Sequence, residues 1–223
     1  MTGLGGIAGT RPPLLLAVSG VKNSGKTTLI EGLLPYLTAQ GLKIAVIKHD
    51  GHDFEPDVPG TDSFRYRKGG AFGTAVFSEK RLMVVKETAR PAGEEALAAC
   101  FPEADLILLE GFKYSGHLKI ELARRGNSAA FVSDGRYLGA AVSDMNPLEL
   151  GEYAGGRRLF VPSAGEIKKE AARTAAAFFT DGLLSGPVPL FHMNDLQGIG
   201  TWMYELYRRV LESRSCTGQN PGF

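Results

Sequence analysis

Residues 20 to 27 read Gly-Val-Lys-Asn-Ser-Gly-Lys-Thr, so that two glycines bracket four residues and a Lys-Thr pair follows at once. This is the spacing of a loop that wraps the phosphates of a nucleoside triphosphate. A nest of backbone N–H groups must close around the β-phosphate, with glycine where the chain comes nearest or takes φ > 0. The expected nucleotide contacts are therefore Gly20, Val21, Lys22, Asn23, Ser24, Gly25, Lys26, Thr27 and Thr28. Lys26 is expected to neutralise β- and γ-oxygens and so to act catalytically, and the Thr27 hydroxyl to ligate magnesium.

In an open parallel sheet, ligands bind beyond the carboxyl ends of the strands, so polar residues that end apolar runs are the next to inspect. Lys48, His49 and Asp50 follow one run, and Ser143 and Asp144 follow another. Glu110 follows Leu106-Ile-Leu-Leu109, where an acidic side chain would orient the magnesium or its water, and Gly111 behind it allows close backbone approach. Magnesium needs few protein ligands, so Thr27 and Glu110 would suffice, with Asp50, Asp57 and Asp62 as rival carboxylates. His49 and His52 lack a third soft ligand nearby and make a weak transition-metal signal. Arg65, Arg67 and Lys68 read equally as anion contacts or as a solvated face. For the base, Ser143-Asp144 and Asn194-Asp195 each follow a strand, although Asp195 also reads as a helix cap. The Asn-Lys-x-Asp element that reads guanine in many GTPases is absent.

Elements of the right kind flank these residues. Leu14-Leu-Leu-Ala-Val-Ser19 is a short apolar run of the type buried on both faces of a parallel sheet. Leu29, Ile30, Leu33, Leu34 and Leu37 then mark one face of a helix that Gly41 stops and Pro35 should kink. Lys43–Lys48 is a second strand, and 49–70 reads as a long functional loop. Segments 73–78 and 81–86 follow as a hairpin or as two short strands, with a short helix over 92–100. Strands are expected at 105–109, 117–123 and 136–142, the last two joined by a turn at Asp134-Gly135. Within 147–188 a strand over 158–161 precedes a helix opened by the Ser163/Glu166 capping box, its stripe formed by Ile167, Ala171, Ala175 and Phe178. A strand at 188–191 and a helix faced by Leu196, Ile199, Trp202, Met203, Leu206 and Val210 complete the pattern. The fold class is α/β, a mostly parallel central sheet with helices on both faces.

Length and charge narrow the function. The 223 residues suit one large domain over 14–212, with 1–13 a loose arm and 213–223 a loose tail. The 25 basic and 24 acidic side chains nearly cancel, which leaves no net field for nucleic acid or an anionic membrane. Two cysteines far apart, Cys100 and Cys216, argue against a disulfide framework and fit a reducing cytoplasm.

Together these pieces resemble the MobB family of P-loop proteins, which act in molybdopterin guanine dinucleotide biosynthesis. The resemblance runs from about Leu14 to Asn146 and resumes at Pro189. It is carried by the phosphate loop, by Lys48-His49-Asp50-Gly51-His52-Asp53-Phe54 with Asp57, Pro59-Gly60, Asp62-Ser63 and Gly70-Ala71, and by Glu110-Gly111-Phe112-Lys113. Lys119-Ile120-Glu121 resembles a third signature, with Leu118 where the family usually has proline. The resemblance implies a P-loop NTPase fold and a homodimer that binds GTP with Mg2+ and hydrolyses it weakly. It further implies an adaptor role towards the guanylyltransferase that joins GMP to molybdopterin, and possible contact with other molybdenum cofactor proteins. Guanine and molybdenum enter only through the resemblance, which does not extend to the extra segment 147–188. Slow turnover is expected, since no arginine finger or water-positioning Gln follows Gly111. Two other readings compete. A small-molecule kinase needs an Arg-rich lid, and a nickel-delivering GTPase needs a Cys- or His-rich tract; neither is evident.

Overall fold

A computed structural model describes residues 11–128, 130–181 and 183–217. Their contacts gather them into two units, one formed by the chain up to His49 and from Cys100 onward, the other by Asp50–Ala99.

The first unit is built on a sheet whose central strand, β1 (Leu14–Gly20), is apolar almost throughout because both of its faces are covered: Leu15 and Ala17 are as buried as Leu14, Leu16 and Val18. The chain order is β1, β2 (Ile44–Lys48), β3 (Gly73–Phe77), β4 (Leu82–Lys86), β5 (Leu106–Glu110), β6 (Lys119–Ala123), β7 (Leu138–Ser143), β8 (Tyr153–Ala154), β9 (Arg157–Phe160) and β10 (Val188–His192). Eight of these form one sheet in the order β2-β5-β1-β6-β7-β10-β9-β8, parallel throughout except for β8 against β9. Helices α1 (Lys26–Ala39), α4 (Ala164–Asp181) and α5 (Leu196–Thr217) share one apolar cluster with the sheet. It joins Leu16 and Val18 of β1 to Leu29, Leu33 and Leu37 of α1 and to Trp202 of α5. Each such leucine contributes roughly 1.5–3 kcal/mol by leaving water. Ala140 and Val142 of β7 belong to this cluster and Ala141 to a second, with Leu159 and Leu190, as the two-residue period of a strand dictates.

The mostly parallel sheet matches the expected fold class, and several details differ. β6 and β7 are parallel neighbours, so the segment between them is a crossover, and the expected turn at Asp134-Gly135 opens a 3-10 turn over Gly135–Tyr137 at its end. The segment 147–188 extends the sheet: β8 and β9 add two strands beyond β10, and α4 packs on α5. Half of its capping box forms: Ser163 N donates to Glu166 Oε2 at 2.8 Å, while Ser163 Oγ donates to the same oxygen at 2.6 Å and the Glu166 N–H goes to the Ser163 carbonyl. Helix α5 continues to Thr217, past the point where the tail was expected to begin, and Arg214 Nη1 donates to the Pro12 carbonyl at 2.6 Å. The arm at 1–10 and the tail at 218–223 lie outside the described residues.

The second unit holds α2 (Asp62–Lys68), the antiparallel β3–β4 hairpin and α3 (Glu94–Ala98). α2 occupies what the sequence presents as loop. Thr61 caps it by accepting from Phe64 N, Asp62 sits in its first turn and Arg65, Arg67 and Lys68 in its last, each favourable to the helix dipole. One hairpin face carries Phe77, Leu82 and Val84, all strongly exposed.

Candidate functional site

The site begins where β1 ends. Gly20 is the last residue of the strand, the loop turns through Asn23 at φ 63° and Gly25 at φ 97°, and α1 starts at Lys26. Strand, loop and helix N-terminus thus direct backbone N–H groups and a positive dipole end at one point, as an anion requires. Lys26 Nζ donates to the carbonyls of Gly20 at 3.1 Å and Val21 at 2.7 Å. Its affinity for a proton is lowered, chiefly by burial; Glu110 opposes that shift, while the Lys48 and Lys113 charges add to it. An arriving phosphate would take over those ammonium protons.

Three strands bring the acidic partner in. Val18, Glu110 and Lys48 stand in register at the carboxyl edge of β1, β5 and β2. Glu110 is buried, and its Oε1 accepts from Thr27 Oγ1 at 2.8 Å, so the two residues singled out for the metal are adjacent. A hydroxyl and a carboxylate side by side are hard oxygen donors, and few are needed, so these residues fit magnesium. Gly111 has φ 92°, and a Cβ there would lie 3.2 Å from the His49 carbonyl oxygen, the close approach that its position suggested. The His49 ring stands edge-on to Phe112 at 5.7 Å.

A cavity of about 410 Å³ opens beside the loop, lined by Ser24, Gly25, Thr28 and Leu29, by Leu122 at the end of β6 and Arg124 just after it, and by Met193, Asn194 and Leu196 beyond β10. Ser24 is fully buried and its hydroxyl has no hydrogen-bond partner among the described residues. Of the two expected base-reading pairs, Asn194 reaches this cavity. Asp144 does not line it, and its Oδ1 accepts from Arg125 N at 2.8 Å. Asp195 caps α5, accepting from Gly198 N at 2.8 Å.

The loops on either side are braced by two charges that the sequence pattern does not explain. Lys119 and Glu121 are fully buried in β6. Lys119 Nζ donates to the carbonyls of Lys113 at 2.9 Å and Ser115 at 3.0 Å, fixing the turn after Glu110. Glu121 accepts from Val132 N at 2.6 Å and Ser133 N at 2.9 Å, and Ser133 Oγ lies 3.0 Å from Ser19 Oγ, one residue before the phosphate loop. Asn127 Nδ2 donates to the Lys22 carbonyl at 2.9 Å and so holds the loop from outside. The signal for these roles was the Lys-Ile-Glu alternation, which reads as a half-exposed strand until the fold covers its polar side.

Within the second unit the remaining candidates pair with one another. Arg67 Nη2 meets Glu55 Oε1 at 2.6 Å, and Arg65 lies 3.5 Å from Asp62. Asp57 caps a turn: hydrogen bonds, first from the Ser63 side chain and then from Val58 N and Thr61 Oγ1, hold its carboxyl below the usual carboxylate range. No described helix is long and apolar enough to cross a membrane.

Known proteins resemble this chain. A molybdopterin-guanine dinucleotide biosynthesis adapter protein of Haemophilus influenzae is 36% identical over 138 residues, 61% of this chain and 77% of that one. The adapter protein of Escherichia coli is 42% identical over 119 residues, 50% of this chain and 66% of that one. The crystal structure of Bacillus subtilis MobB superposes with a TM-score of 0.57 at 24% identity, covering 86% of this chain and 98% of that one, which supports the fold. The model of the family MobB, molybdopterin guanine dinucleotide synthesis protein B, matches residues 15–144. Since that span is more than half of the 223 residues and contains the phosphate loop, Glu110 and the Lys119-Ile-Glu brace, the chain belongs to the MobB family.

Proposed function

We propose that this protein binds GTP with magnesium, hydrolyses it slowly, and serves as an adaptor when GMP is attached to molybdopterin. The observation that carries the reading is the Thr27–Glu110 pair beside a phosphate loop whose lysine donates to carbonyls of that same loop, in a chain of the MobB family. Gly20 to Thr28 cradle the phosphates, and the Asn194 cavity takes the base. Thr27 and Glu110 would hold magnesium, which would supply positive charge against the phosphates. Lys26 stabilises the charge that gathers on the β–γ bridging oxygen as water bonds to the γ-phosphorus and that P–O bond breaks, leaving GDP and phosphate. No arginine from this loop region completes the charge, so turnover is slow.

The names of the Haemophilus influenzae and Escherichia coli relatives support the adaptor role. The exposed Phe77, Leu82 and Val84 on a two-stranded ribbon support a homodimer, because such a hairpin is marginal unless something covers it. We place the protein in the cytoplasm with a guanylyltransferase as partner. The test is purified protein offered GTP and ATP with magnesium, with and without candidate acceptors. GTP preference with slow release of phosphate is the expected result; ATP preference with stoichiometric phosphorylation of an acceptor makes it a kinase instead. The adaptor role requires that tagged protein retain a guanylyltransferase, and failure to do so removes it.

A further inference from the structure

The Glu110 carboxylate is surrounded by more positive charge than a phosphate loop needs. Two further lysines lie close enough to act on Lys26, Lys48 at the end of β2 and Lys113 in the turn after β5. Lys113 is accounted for, since its ammonium lies 4.8 Å over the Tyr114 ring. Lys48 is not. Its Nζ is 3.9 Å from Glu110 Oε1, too long for a hydrogen bond, so the contact satisfies none of its three N–H donors. Its side chain is about half exposed, 56%, which leaves it free to swing.

Its direction of reach follows from the register. Lys48 and Glu110 are paired residues of adjacent parallel strands, so both side chains leave the same face at the same level of the sheet edge. Glu110 Oε1 is also the atom that accepts from Thr27 Oγ1. The loop threonine marks the metal and the loop lysine the β/γ junction, and Lys48 approaches the same carboxylate oxygen as Thr27, within reach of the terminal phosphate. We propose that Lys48 is a second ammonium ligand of the terminal phosphate, by which the protein distinguishes a nucleoside triphosphate from a diphosphate. This rests on the triphosphate-binding reading above and deepens it. Three ammonium groups against one carboxylate leave an excess of about two positive charges, which matches a magnesium-bound triphosphate better than a diphosphate. Lys48 would also supply from within the chain part of the charge that an arginine finger brings elsewhere.

The experiment measures binding of GDP and of a non-hydrolysable GTP analogue, with magnesium, to the full chain and to Lys48→Ala, Lys48→Arg and Lys43→Ala. Lys43→Ala removes the same charge just before β2, at its opposite end, and controls for overall field. Lys48→Ala is expected to weaken the triphosphate about ten- to a hundredfold, the effect of one charged hydrogen bond, and GDP less than about twofold. Lys48→Arg is expected to keep most of the difference, and Lys43→Ala to behave as wild type. Equal weakening of both nucleotides by Lys48→Ala, no weakening, or a matching loss in Lys43→Ala overturns the role of Lys48 while leaving the site itself in place. Wild-type protein that binds neither nucleotide overturns the site as well.

Discussion

Replacing Gly20 by alanine probes the phosphate loop where it has least room. Gly20 sits at φ 137°, and a Cβ there would lie 2.6 Å from the Leu122 carbonyl oxygen and 2.7 Å from Ser24 Oγ. A backbone carbonyl in the neighbouring strand does not swing aside as a side-chain tip would, so the loop itself must shift by roughly half an ångström to one ångström. Gly25 provides the contrast. Its φ of 97° is as unfavourable, but a Cβ there meets only Leu122 Cδ2, at an ordinary 3.9 Å. Gly25→Ala therefore carries the backbone strain alone, about 1–3 kcal/mol. Gly20→Ala adds an overpacking cost of about 1–3 kcal/mol. In urea the midpoint should fall further for Gly20→Ala than for Gly25→Ala at equal slope. Calorimetry should show GTP binding lost in Gly20→Ala and weakened in Gly25→Ala. Equal midpoints for the two variants, or wild-type affinity in Gly20→Ala, would refute the claim that Leu122 and Ser24 fix the shape of the loop.

Three further outcomes are expected. Thr27→Val removes the hydroxyl donated to Glu110 and should weaken GTP about tenfold with magnesium but little in EDTA, a difference that titration in the two buffers reads directly. Tyr207 donates to Asp105 Oδ1 at 2.8 Å, and burial, with that bond and the Asp105 charge, pushes its phenol from 10.0 up to about 12. The folded chain thus holds the proton more tightly than the unfolded one. That contribution is full below about pH 10 and is lost as pH rises through about 12. Tyr207→Phe should flatten the alkaline limb of the stability curve measured by denaturant unfolding. Arg157 donates to the carbonyls of Gly186, Gly135 and Leu138, so Arg157→Met should lower stability by about 2–4 kcal/mol while leaving nucleotide affinity unchanged in the same titrations.

What could be read from the sequence was whatever depends on short-range pattern. β1, its loop and α1 follow from an apolar run, glycine spacing and a leucine stripe, and Glu110 from its place at the end of a buried strand. The Ser163 capping box and the Asp195 cap were legible for the same reason, since each contact spans only three residues. Contacts between distant segments were not legible. Asn127 is 105 residues from Lys22, and nothing in its neighbourhood marks it as a clasp on the phosphate loop. Lys119 and Glu121 alternate with Ile120 as solvent-facing residues do, and only the covering turns at 113–115 and 132–133 turn them into buried braces. Asp144 follows a strand as expected, yet the backbone N–H of Arg125 claims its carboxylate, while Asn194 beyond the neighbouring strand reaches the cavity. α2 was read as loop because its seven residues are too few for an apolar stripe, leaving its caps as the only clue.

The added strands bear on how this sheet ends. β10 would otherwise present five residues of bare backbone along one border, an open template for a stray chain. β9 pairs with its first two residues, Val188 and Pro189, and the sheet then stops at β8, only two residues long and running the opposite way. So brief a border gives an incoming strand almost nothing to grip. The segment 147–188 thus works in part as a selvedge, and trimming it would open the border of β10 to edge-to-edge pairing between molecules.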